Sequence, residues 1–170
     1  MHFSHVLLGL VASASAIDVY FHGSSDCSGG AAVCTGINPN VCCTGNSVSV
    51  AYRGVPTNWH INAQGYSGGG CGSPKWLADI NGQTWYCMTP NSRYNYTGSR
   101  YWFVSRRRAE DTCDSNCTES VKPDTLVLAD GATKYDIVGL DDAKVEELLT
   151  IASSGVGPEG MPEELLARRK

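Results

Sequence analysis

The sequence predicts a mainly β protein, a disulfide-stapled sandwich followed by a small ββα C-terminal subdomain. Three observations predict it. Six of the eight cysteines fall between Ile17 and Thr89, among short β-branched and aromatic runs separated by glycine-rich turns. Within that stretch, Ser47-Val48-Ser49-Val50-Ala51-Tyr52 alternates with a period of two, as a half-buried strand does. Beyond Asp124 the character changes: two short apolar runs flank Ala129-Asp130-Gly131-Ala132, and a helical apolar stripe follows.

The first sixteen residues read as a signal peptide. His2 and His5 flank a polar start, Val6 to Val11 is apolar, and Ala14-Ser15-Ala16 has the small-x-small form of a cleavage site. The apolar run is too short to span a bilayer, and no later run approaches that length. The mature protein is therefore expected to be secreted and extracellular. The division expected is 1–16 signal peptide, 17–105 cysteine-rich β domain, 106–123 basic, cysteine-bearing linker, and 124–170 acidic ββα subdomain or pro-segment.

Ile17 to Phe21 opens the β domain as a strand. His22 to Gly30 is a polar loop carrying Cys27, and Ala31 to Cys34 is a short second strand. Gly36 to Asn40 is a turn cluster. Ser47 to Tyr52 is read as one strand, with Val48, Val50 and Tyr52 on one face. Arg53-Gly54-Val55-Pro56 turns, and Asn58 to Asn62 begins another strand. Glycine-rich Gly65 to Gly72 follows as a tight or recognition loop. Trp76 to Ile80 is a strand or a turn, Asn81-Gly82 is a hairpin signal, and Gln83 to Met88 closes the unit. Tyr101 to Val104 reads as a strand completing the first sheet.

In the C-terminal part, Asp124 to Leu128 and Lys134 to Val138 are strands. Asp141 or Asp142 caps a helix running to about Ser153, with Val145, Leu148, Leu149 and Ala152 on one face and Gly155 as its stop. Pro162 opens a last helical turn carrying Leu165 and Leu166.

Cys27, Cys34, Cys42, Cys43, Cys71, Cys87, Cys113 and Cys117 all follow the cleavage point. An even count in a small secreted chain implies a disulfide framework. Adjacent Cys42 and Cys43 fit poorly to bond each other across one peptide bond, so they reach two different partners. A zinc site is disfavoured because no paired C-x2-C spacing is present, and no metal or cofactor is expected.

Charge is unevenly placed. Residues 17–105 carry four basic and three acidic side chains, whereas residues 109–170 carry fourteen acidic and six basic ones. Between them lies Arg106-Arg107-Arg108, a candidate site for a secretory-pathway dibasic endoprotease. The acidic balance argues against general nucleic-acid binding. Asn95-Tyr96-Thr97 and Asn116-Cys117-Thr118 are glycosylation acceptor sequences.

Enzyme classes find little footing, and no catalytic residue is predicted. No glutamate occurs between Ile17 and Ala109. A paired-carboxylate hydrolase would have to draw on Asp26 and Asp79. His22 and His60 lack a matched nucleophile in sequence, and His60 beside Trp59 reads as a packed strand residue. Gly68-Gly69-Gly70 lacks the Lys-Ser or Lys-Thr of a phosphate loop. Binding is favoured instead. Thirteen aromatics lie between Tyr20 and Phe103, more than so small a domain buries. Trp59, Trp76, Trp85 and Trp102 are the candidate contacts for a ligand.

A repeat of about forty residues relates Tyr20-Phe21 through Cys27-Ser28-Gly29 to Trp59-His60-Ile61 through Tyr66-Ser67-Gly68-Gly69. Each copy is an aromatic-bearing strand, a short polar loop and a glycine. This arrangement resembles the βγ-crystallin family, including its killer-toxin-like members. Phe21, Gly29 and Ser47 match its first motif. Tyr66 with Gly68 or Gly69 matches the second, whose serine is not evident. The resemblance implies a Greek-key sandwich over Ile17 to Met88. Its calcium site is not carried over, because Cys42 and Cys43 stand near the place of the oxygen ligands.

The signal peptide, cysteine content and size also resemble small secreted cysteine-rich proteins of filamentous fungi. That resemblance implies a non-enzymatic effector acting on a host cell or host defence. An antimicrobial killer-toxin-like protein and a cell-wall carbohydrate-binding module or hydrolase are the alternatives. The expected partner is a host or microbial protein or a glycan, and the chain is expected to be a monomer.

Overall fold

The computed structural model describes residues 16–89, 95–104 and 119–170. Two consecutive four-strand units open the chain. The first comprises β1 (Ile17–His22), β2 (Ala31–Ile37), β3 (Cys42–Ser47) and β4 (Ser49–Arg53). The second comprises β5 (His60–Ser67), β6 (Ser73–Asn81), β7 (Trp85–Met88) and β8 (Tyr96–Phe103). Three short strands follow, β9 (Ser120–Val121), β10 (Thr125–Val127) and β11 (Lys134–Asp136). Helices α1 (Asp142–Ser153) and α2 (Glu163–Leu166) end the chain.

The protein is mainly β, with two sheets packed face to face. One sheet has the order β11-β10-β2-β1-β4-β7, and the other β6-β5-β8-β3-β9. Each four-strand unit keeps its first, second and fourth strands together and lends its third to the other sheet. Thus β7 pairs with β4, and β3 with β8, both antiparallel. This is a pair of Greek keys related by an approximate two-fold. Tyr52, opposite Val19, and Tyr101, opposite Ala63, hold equivalent places, and their rings meet edge to face at 6.4 Å.

Alternation decides what fills the space between the sheets. Val19, Phe21, Val50 and Tyr52 point inward from one sheet, and Ile61, Ala63, Ile80 and Tyr101 from the other; all are buried. Close approach is needed where β8 begins. A Cβ on Gly65 would lie 2.5 Å from the Tyr96 ring, so only glycine leaves room for that buried tyrosine.

The single strand expected over Ser47 to Tyr52 is instead two. Ser47 ends β3 in one sheet and Ser49 opens β4 in the other, with Val48 at the corner donating its N–H to the His22 carbonyl at 2.9 Å. The period-two pattern continues through the corner, so periodicity alone does not reveal the change of sheet. Trp76 to Ile80 lies within a nine-residue strand, and the strand expected at Tyr101 begins at Tyr96.

Three disulfides tie the sandwich. Cys34–Cys43 crosses between the sheets and is fully buried. Cys42–Cys71 ties β3 to the loop between β5 and β6, and Cys27–Cys87 ties the loop after β1 to β7. Cys113 and Cys117 lie outside the described residues.

The acidic C-terminal part continues the first sheet. β10 pairs antiparallel with β2, and β11 with β10. Asp141 caps α1 by accepting the Lys144 N–H at 2.8 Å. Leu148, Leu149 and Ala152 of α1 are buried, and a cluster of Leu126, Leu128, Tyr135 and Leu148 packs on Ala32 of β2. The helix lies so close to the loop before β2 that a Cβ on Gly30 would fall 2.5 Å from that of Ala152. The chain end returns to β11, where the Lys170 N–H donates to the Lys134 carbonyl at 2.9 Å. β9, inside the stretch expected as a linker, pairs parallel with β3.

Candidate functional site

The outward face of the second sheet gathers chemistry that no single motif announces. Since Tyr101 and Ile61 point inward, Arg100, Trp102, Asn62 and Gln64 point outward by alternation. Register sets them in two rows. Asp79, Asn62 and Trp102 lie side by side across β6, β5 and β8, and so do Leu77, Gln64 and Arg100.

The Arg100 guanidinium stacks 5.3 Å from the Trp102 ring centroid and 5.5 Å from that of Tyr66. Stacking of this kind stiffens a long side chain and holds the aromatic plane upright. Gln64 Nε2 donates to the Trp76 carbonyl at 3.0 Å, which fixes its amide. His60 Nε2 sits 2.9 Å from an Asp79 carboxylate oxygen. Both are substantially exposed, so this pair orients its partners more than it stabilises the fold. The face thus offers an aromatic edge, two planar amides, a carboxylate–imidazole pair and an apolar side chain (Leu77, 57% exposed) on a rigid frame.

A cavity of about 750 Å³ opens where the sandwich meets the C-terminal part. Phe21, Ala32, Ile137, Val145 and Leu149 give it an apolar lining. Two polar links between the two parts flank it: Asn46 Nδ2 donates to Glu146 Oε1 at 3.2 Å, and Lys122 Nζ to Asp142 Oδ1 at 2.8 Å. Its size and lining suit a small apolar molecule.

The loop after β1 folds over the first sheet and reaches the C-terminal end of α1. His22 is buried there, with Nδ1 3.1 Å from the Gly30 carbonyl and the Tyr20 ring stacked beside it. Burial, with the nearby Arg53 charge, lowers its pKa to about 4.

The four tryptophans have separate fates. Trp59 is half-buried and packs edge-on against Phe103 at 4.8 Å. Trp76 and Trp85 are 36% and 48% exposed, on β6 and β7 respectively. Trp102 is half-buried and belongs to the outward face. His60, expected as a packed residue, stands half-exposed against Asp79. Asp26 lies in the loop over the first sheet and Asp79 on the outward face of the second, so they do not form a paired-carboxylate site.

Asn95 is exposed beside buried Tyr96. Asn116 and Arg106, Arg107 and Arg108 lie outside the described residues. Sequence reading missed Asn62, Gln64 and Leu77 as site residues. Arg100 is legible as a cation that could meet an anionic surface, and the alternation of Ser99 to Phe103 around buried Tyr101 gives its face.

Among the described residues, no group of three or more His, Cys, Asp or Glu side chains is placed to hold a metal ion. None of the described helices is long and apolar enough to cross a membrane. Buried disulfides of this kind suit an oxidising, extracellular setting.

A family model named ARB_05566_N, an N-terminal domain, matches residues 18–124. The chain belongs to this family. The match covers both Greek keys and β9 and stops as β10 begins. The chain is also 27% identical over 173 residues to an "Uncharacterized secreted protein" of Arthroderma benhamiae, covering 95% of this chain and 88% of that one. That similarity therefore extends through the acidic C-terminal part. No solved structure matches the chain.

Proposed function

We propose that this is a secreted, non-enzymatic recognition protein of the effector type, which acts on a host cell or host defence by binding. The carrying observation is the outward face of the second sheet, where Arg100 stacks on Trp102 beside Asn62 and Gln64. A disulfide-stapled sandwich presents such a face without an entropic cost of ordering. The exchange of third strands between the two units supports the crystallin-like reading of the sandwich. The secreted relative from Arthroderma benhamiae supports export.

The test is infiltration of the purified, oxidised protein into plant leaves, with Trp102→Ala and Asn62→Ala variants alongside. Cell death or suppressed immune output that the variants lose is the expected result. No response at any dose, with inhibition of microbial growth instead, would move the reading to a killer-toxin-like protein.

A second reading is a cell-wall glycan-binding module. It is favoured by the placing of Asn62 directly between Trp102 and Asp79, an aromatic surface flanked by hydrogen-bonding groups. Glycan-array binding that Trp102→Ala abolishes would establish it.

A further inference from the structure

We propose that the cavity between the sandwich and α1 binds a small apolar molecule carrying a protonated amine, with Glu146 as its counter-ion. Phe21 of β1 and Ala32 of β2 are directly opposed in register, and together they form the floor. α1 supplies one wall through Val145 and Leu149, and Gly45 of β3 with Val121 of β9 supplies the other. Protein interiors leave few voids larger than a water molecule. A space of about 750 Å³ between three largely apolar surfaces is instead of the size that small-molecule sites have. It takes walls from both parts of the chain, so neither part alone contains it.

Charge at the mouth selects the head group. Among the described residues lining the cavity, Asp141, Asp142 and Glu146 stand against one cation, Lys122. Lys122 is taken by Asp142 at 2.8 Å, and Asp141 caps α1 through the Lys144 N–H. Glu146 meets the neutral Asn46 amide at 3.2 Å, and no described cation pairs with it. A carboxylate keeps acceptor sites beyond the one that amide uses. A fatty acid would bring a second negative charge to this mouth, whereas an ammonium brings the opposite one while its apolar body covers the walls. The Lys122–Asp142 pair that flanks the mouth is exposed on both sides and so weakly held, which lets it yield to an entering molecule.

This site is distinct from the outward face of the second sheet, and its occupancy does not rest on the function proposed for that face.

The experiment is isothermal titration of the full secreted, oxidised protein with decylamine, decanol and decanoate, each below its aggregation concentration at neutral pH. Decylamine should bind roughly tenfold or more tightly than decanoate, and added salt should narrow the difference. Glu146→Gln should bring decylamine down to the affinity of decanol and leave decanol unchanged. Val145→Phe, which fills the space, should weaken both. Glu147→Gln removes the next charge along α1 without lining the cavity, and it should change neither, as should Trp102→Ala on the outward face. Thermal unfolding of every variant verifies the fold. Absence of decylamine binding overturns the proposal. So does binding that Glu146→Gln and Val145→Phe leave untouched, or a decanoate affinity equal to that of the amine.

Discussion

The phenolic oxygen of Tyr52 and the hydroxyl of Ser99 lie 2.6 Å apart in the core, one from the fourth strand of each Greek key. Ser99 donates its one proton to the Gln64 carbonyl at 2.9 Å, so the single Tyr52 proton is shared between Ser99 Oγ and the Arg100 carbonyl, also 2.9 Å away. Burial pushes the Tyr52 hydroxyl well above its usual pKa, so it stays a donor throughout the working range. Tyr52→Phe and Ser99→Ala are each expected to cost about 1–3 kcal/mol, because each strands a buried polar partner. The double variant should cost less than the two added, since they share one network. Urea unfolding of the oxidised protein measures all three, and strict additivity would refute the coupling.

His22 makes stability depend on acidity. Its folded pKa is lowered to about 4, against 6.5 in the unfolded chain. The unfolded chain therefore takes up the proton first, and the stabilising contribution is complete above pH 6.5. It is eroded as the pH falls from 6.5 towards 4, by up to about 3 kcal/mol. A His22→Gln variant should show a flatter stability profile over that window, measured by unfolding at stepped pH.

Cleavage at Arg106, Arg107 or Arg108 is expected to leave the two pieces bound together. β10 is hydrogen-bonded to β2, Asp124 accepts from the Thr35 N–H at 2.9 Å, and Leu126 and Leu148 pack on Ala32. Native size exclusion of the cut, oxidised protein should show one peak, resolved into two bands only after denaturation. Two native peaks would mean that the acidic part is released as a pro-segment.

Asn95 is expected to carry a glycan, visible as a mass that an amidase removes and Asn95→Gln lacks. The asparagine is exposed, so that change should leave stability within about 0.5 kcal/mol. Thr97→Ala should remove the same mass and also destabilise by about 1 kcal/mol. The Thr97 hydroxyl accepts from the Gly69 N–H at 3.1 Å and donates to the Gly70 carbonyl at 3.0 Å, tying β8 to the neighbouring hairpin.

Local features were legible in the sequence and relations between distant strands were not. Asp141 as a helix cap, the Asp130-Gly131 turn and the inward set Val50 and Tyr52 follow from chemistry within a few residues. The different partners of Cys42 and Cys43 follow from one peptide bond's geometry. The exchange of β3 and β7 left no local trace, because a strand alternates in the same way in either sheet. The joining of β10 to β2 was hidden by composition: an acidic stretch reads as separate, although its buried residues Thr125, Leu126 and Val127 carry no charge. The outward face escaped because its members come from three strands, each polar residue unremarkable where it stands.

The two neighbouring cysteines on the exchanged strand also bear on the order of assembly. Cys42 fastens β3 to the hairpin of the host sheet, and Cys43 fastens it to β2 of its own unit. Cys34 and Cys43 are nine residues apart within one unit, but Cys42 meets Cys71 only where β3 lies in the other unit's sheet. Oxidation of that second pair therefore acts as a ratchet: the bond records a crossing already achieved and holds it. A chain oxidised too early, before the crossing, would lock the wrong cysteines together, so redox conditions during export decide how much of this protein reaches its working form.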